Sequence, residues 1–170
     1  RSMAHLWVLP DLPSKAAEQV WCANMLLVAA LLFVADLAVS GGSAIIEHPA
    51  AFWREGLPSI WRLAAIRSLA SLECVDMVRI DQCQAGSCAK APTNLLTLRC
   101  GSLRPLMARP RGKGLCNHRD HEQVLIGRAA DGAWRPAQKR ECPTALCSLF
   151  AVAVMEVPLS RWAAEADGPD

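Results

Sequence analysis

The sequence predicts an α/β layered fold with a long buried N-terminal helix and parallel strands. Three observations carry that expectation. Lys15 to about Leu37 reads as one long helix whose centre, "MLLVAALLFVA", is apolar on every face. "SAIIE" at 43–47 is an unbroken apolar run, the pattern of a parallel strand covered on both sides. "VDMVRID" at 75–81 and "TNLLTLR" at 93–99 read as further strands, and strand, helix, strand in about 35 residues is the size of a βαβ unit.

In chain order, residues 1–13 hold two prolines and no sustained period, so a lead-in loop is expected. Ser14 is placed to cap the first helix, because its hydroxyl can accept free amide protons of the first turn. Ser40-Gly41-Gly42 should end that helix. Its uninterrupted apolar run, Met25 to Ala35, lies between Asn24 and Asp36 and is shorter than the roughly 20 residues of a membrane span. Extending it to Val20–Val39 encloses both polar residues, which are costly in lipid. A helix buried in a protein interior is therefore expected, and no membrane partner.

After the strand at 43–47, a loop with Pro49, Gly56 and Pro58 leads to an amphipathic helix over Ser59–Leu72. Residues 101–121 hold glycines, prolines and arginines and read as a loop. "QVLIGRAADGAWRP" predicts a hairpin turning at Asp131-Gly132. A last helix should run from Pro143 to about Glu156, with Pro158 opening a flexible tail over 158–170. The sum is a partial Rossmann-like domain over 14–157: a long helix, parallel strands, then a C-terminal hairpin plus helix.

A chain of 170 residues, 52% hydrophobic and 20% charged, suits one domain and excludes wholesale disorder. Eight irregularly spaced cysteines are too few for a disulfide scaffold of this length, and no cleavable signal opens the chain. They read as reduced thiols of an intracellular protein, nuclear or cytoplasmic. The start at Arg1 rather than methionine is expected to mark part of a longer reading frame. The net charge of +2 hides an uneven distribution. No acidic residue lies between Asp81 and Asp120, while Lys90, Arg99, Arg104, Arg109, Arg111, Lys113 and Arg119 do. Such a segment can neutralise phosphates, making nucleic acid a candidate partner, and it equally fits a solvated surface loop.

Glu47 closes its strand at the edge where open α/β sheets bind ligands. Asp81-Gln82-Cys83 closes the next, so Asp81 is expected near Glu47, placed to bind an amino group or an arginine. A cysteine such as Cys83 is more often a small buried hydrophobe than a reactive thiol. In "CNHRDH", Cys116, His118 and His121 are the metal candidates, with zinc suited to the mixed donors and Cys83 or Cys88 available as a fourth. The spacing C-x-H-x-x-H is not a paired-knuckle pattern. No Gly-x-Gly-x-x-Gly turn, phosphate-binding Gly-Lys-Ser/Thr loop or Gly-x-Ser-x-Gly elbow occurs.

Five stretches in order carry a family resemblance: "GGSAIIEHPAAFW", "PSIWRL", "VRIDQCQAG", "KAPTNLL" and "CPTALCSLFA". Together they resemble the later portion of phage and mobile-element methyltransferase-like proteins related to DNA cytosine-5 methyltransferases. The likeness spans about residues 14–152 and rests on motif order. It implies that Glu47 matches the glutamate that holds the target base, polarising it for attack by a cysteine. His48 takes the variable position beside it. Lys90, Pro92 and Thr93 match a Lys-Pro-Thr segment, here interrupted by Ala91. His48, Asp81, Lys90, Arg99, Arg104 and Arg111 form the expected substrate-binding set. S-adenosylmethionine and the Pro-Cys nucleophile of the family would belong to an upstream portion. No cofactor is expected on this chain, which should be a truncated or degenerate, inactive domain. A non-enzymatic zinc or nucleic-acid-binding module is the alternative, and a small membrane-associated protein is a third. An incomplete sheet leaves open edges, so self-association is expected.

Overall fold

Helix α1 (Ser14–Ser40) stops where a residue must turn left-handed: Gly41 adopts φ 82°, and the N–H groups of Gly41 and Gly42 both donate to the Leu37 carbonyl. At the other end Pro13, whose ring presets φ, occupies the cap position without a side-chain hydrogen bond. Ser14 is thus the first helical residue, not the cap. This computed structural model describes residue 7 and residues 11–50, 59–100, 103, 115–122 and 142–166, with side chains as far as 155.

β1 (Ala44–Pro49) follows, then a single 3₁₀ turn (Ile60–Arg62) and α2 (Ala64–Ala70). The one amphipathic helix expected over 59–72 is divided because Leu63 is extended, with ψ 136°. β2 (Val75–Asp81) runs into a second 3₁₀ turn (Gln82–Ala85), β3 is Pro92–Leu98, and α3 is Thr144–Ala166. α3 continues past Pro158, where the sequence predicted a stop. The run "RWAAEA" beyond it is rich in helix formers, which offset the one donor that proline removes. The expected hairpin at 123–136 lies outside the described residues, and so does most of the lead-in loop.

The sheet order is β1-β3-β2, and β3 is antiparallel to both neighbours. The parallel sheet expected from the sequence is therefore corrected. Residues 82–91 join β2 to β3 with only a 3₁₀ turn, too little chain for the crossover that parallel neighbours require. β1 and β2 do run the same way, one on each side of β3.

Helices cover both faces, which explains why β3 buries leucines on both of its sides. Leu96 and Leu98 face a core of Leu31, Val34, Ile60, Leu63, Ile66, Leu69 and Val75. Leu95 faces the other way, packing with Val78, Ile80 and Leu146. Leu95, Leu96 and Leu98 are fully buried, the centre of the molecule. α1 is not. Of its residues only Leu31 and Val34 are buried, while Leu26 is 73% and Leu32 67% exposed. The expected buried helix thus touches the core along one stripe, because a three-stranded sheet offers too little surface to enclose it. By length and composition alone, α1 is also the one helix among the described residues that could cross a membrane.

Candidate metal centre and sheet edge

Because β1 and β2 run together, their C-terminal ends meet at one edge, beside the start of β3: Pro49 pairs with Thr93 and Asp81 with Pro92. Glu47 and Asp81 therefore share an edge without being on adjacent strands. Gln82 links them. Its buried amide donates to Glu47 Oε1 at 3.1 Å and to Thr93 Oγ1 at 2.8 Å. Glu47 itself is exposed and borders an open groove lined by Ile45, Phe150, Ala151, Val154 and Met155.

One residue further, Cys83 sits in the turn that Gly86 closes with φ 92°, and it is buried. The chain returns to this turn at 115–122. The Cys116 N–H donates to Asp81 Oδ2 at 2.7 Å, and Gln84 Nε2 donates to Asn117 Oδ1 at 3.2 Å. These bonds bring Cys116, His118 and His121 against Cys83. Cys116 Sγ lies 3.5 Å from His118 Nδ1 and 3.1 Å from His121 Nε2, and the two imidazoles meet edge to face. All four ligand atoms lie within 4.8 Å of one another. This group could hold a metal ion. Cys88, the other candidate fourth ligand, is exposed and not part of the group.

The surroundings suit a cation. Burial, the neighbouring Cys116 and the Asp81 charge push the Cys83 thiol up to about 11, since each disfavours a second negative charge there. A metal reverses that preference, because the ion stabilises the thiolate directly. Asp81 is 2% exposed, and its Oδ1 has no hydrogen-bond partner among the described residues. Lys90, half exposed, lies 4.0 Å from Oδ2, at the limit of an ion pair.

The remaining sequence candidates fall elsewhere. His48 Nδ1 lies 3.2 Å from the Pro49 carbonyl, and its ring meets Trp61 edge-on. Trp61 Nε1 donates to that same carbonyl at 2.9 Å, so His48 belongs to the packing of this corner. Arg99, read from sequence as a phosphate or substrate contact, is spent on structure. Its guanidinium donates to the carbonyls of Leu37, Ala38 and Gly42, closing the C-terminus of α1. Arg104 and Arg111 lie outside the described residues. Gln82 has no site role in the sequence reading, and Thr93 enters it only through the Lys-Pro-Thr match; the available signal for Gln82 was its position between two singled-out residues.

No protein-family model matches the chain, and no curated protein or solved structure matches it either. The methyltransferase resemblance therefore rests on its motifs alone.

Proposed function

We propose that the chain is a non-enzymatic zinc-binding module, with zinc held by Cys83 Sγ, Cys116 Sγ, His118 Nδ1 and His121 Nε2. The observation that carries this reading is the convergence of those four atoms within 4.8 Å. Tetrahedral zinc, with bonds of about 2.3 Å to sulfur and 2.0–2.1 Å to nitrogen, needs sulfur–nitrogen separations of about 3.6 Å. The separations of 3.5 and 3.1 Å stand close to that. Four protein ligands leave no open position for substrate, which makes the site structural rather than catalytic.

Zinc would join the 3₁₀ turn after β2 to residues 116–121 at the end of the cationic segment, and Arg99 within that segment is fixed to α1. A basic segment held at two points loses less entropy on meeting phosphates, so nucleic acid is the partner class that fits. Metal analysis of the purified protein tests the module. One zinc per chain is expected, lost in His118→Ala; a metal-free protein after growth in zinc sinks the reading.

A second reading, methyltransferase-like kinship, is favoured by one observation: Glu47 stands beside an open groove with its carboxylate steered by Gln82. In that reading Glu47 contacts the target base, and S-adenosylmethionine and the cysteine nucleophile come from another portion of the protein. Calorimetry with S-adenosylmethionine should then give no binding to this chain. Micromolar binding would show that the cofactor site has been misplaced.

A further inference from the structure

We infer that Gln82 is a positioning residue that transmits metal occupancy to Glu47. The inference rests on the zinc reading and goes beyond it, since a structural metal need not influence any other group. Three strands and the metal centre meet at this one residue. Gln82 immediately precedes the ligand Cys83, and its Nε2 group places hydrogen bonds on both Glu47 of β1 and Thr93 of β3. Its backbone is fixed as well: the Gln82 N–H donates to the Ala91 carbonyl, and its own carbonyl accepts from Ser87.

The metal would hold this tripeptide from two sides. Cys83 would be bonded to the ion directly. Asp81 would be held through the N–H of a second ligand, Cys116. Gln82 lies between those anchors and can move only if one of them yields. Without the ion, only hydrogen bonds tie the turn to residues 115–122: Cys116 N–H to Asp81, Gln84 to Asn117, and the contact between the Cys83 and Cys116 thiols.

The link is mechanical rather than electrostatic. A divalent ion bound by two thiolates carries no net charge, so its field at Glu47 is small. Gln82, by contrast, is the one polar partner of the exposed Glu47 carboxylate among the described residues. Fixing the amide fixes the carboxylate, and steadies the end of β1 that is paired with β3.

Hydrogen exchange over residues 44–50 of the full chain tests this, with the protein stripped of metal and then loaded with one equivalent of cobalt. The thiolate-to-cobalt absorption band reports loading in the same samples. In the wild type, loading should slow exchange of the β1 amides about tenfold, the scale of one hydrogen bond to a charged group. Gln82→Met keeps the side chain's length but has no hydrogen to donate, so it should bind cobalt normally and show no slowing. Gln82→Ala should behave alike.

The outcomes separate cleanly. If no cobalt band appears in the wild type, the metal reading itself fails, and this inference with it. If the band appears but β1 exchange is unchanged, the metal reading stands and the link is overturned. Equal slowing in the wild type and in Gln82→Met also overturns it, whatever Gln82→Ala does. A variant that loses the cobalt band would instead make Gln82 part of the metal site's own support, contradicting a role confined to Glu47.

Discussion

At the C-terminal end of β3, the Arg99 guanidinium supplies the cation that the carbonyls closing α1 call for, at 3.0–3.3 Å. At the N-terminal end, two sulfurs, two imidazoles and a buried carboxylate converge, with the Lys90 ammonium 4.0 Å from Asp81. One end is completed by a residue of the chain. The other, in our reading, is completed by an ion from outside. The difference teaches that the same physical demand, positive charge facing clustered acceptors, can be met covalently or by binding, and only the second can be withdrawn.

The largest test of that contrast is withdrawal. Free zinc at about a thousand times its dissociation constant stabilises a fold by about 4 kcal/mol. Chelation should lower the melting temperature accordingly, and Cys83→Ser should mimic it. A melting curve unmoved by chelation would break the comparison. At the opposite end, Arg99→Ala should cost about 1.5–3 kcal/mol by uncapping three carbonyls. Denaturant midpoints measured with and without zinc should show the same loss, because no ion takes part there.

A pH series sharpens the contrast next. In metal-free protein the folded Cys83 thiol is raised from 9.0 to about 11. Between those values the unfolded chain has released the proton and the folded one retains it, so the unfolded state binds fewer protons and stability falls as pH rises. Below pH 9 the contribution is fully present. Chemical denaturation of apo protein from pH 8 to 11 should show this decline, and zinc-loaded protein, whose thiolate is already ionised, should not.

The smallest effect is expected at Ala91, which sits at φ 34° immediately before Pro92. Ala91→Gly relieves that strain, about 1–2 kcal/mol in the left-handed region, against glycine's greater unfolded entropy. A net gain of about 0.5 kcal/mol in denaturant midpoint is expected. A loss would mean that the Ala91 methyl makes a contact worth more than its strain.

Much of this was legible locally. Val75–Asp81 is the strand expected, because β-branched Val75, Val78 and Ile80 are interspersed with polar residues up to a polar stop. Gly41 ends α1 where the glycines predicted, since only a residue without Cβ turns left-handed freely. The metal trio showed itself because Cys116, His118 and His121 are close in sequence. Cys83 did not, being 33 positions from Cys116, with Cys88 an equal competitor until the fold brought one of them in. Strand direction was illegible for a different reason. An apolar run reports that both faces are covered, and says nothing of which way its neighbour runs. Composition likewise marks α1 as apolar but not what covers it. Arg99 could not be recognised as a helix cap because that role depends on its left-handed backbone, φ 51°, which no side-chain pattern announces.

The central place of β3 has a consequence for how the chain is made. Among the described residues β1 pairs only with β3, and its partners Thr93–Leu98 follow it by 44 to 54 positions, from Pro49↔Thr93 and Ala44↔Leu98. At about 5–20 residues per second, synthesis leaves β1 waiting roughly 2–10 seconds for the strand it must join. Through that interval α1 and β1 leave the ribosome with their apolar residues uncovered. α1 and β1 are made before the strand that gives them a place, so exposed apolar surface of the kind that favours misassembly persists until β3 arrives.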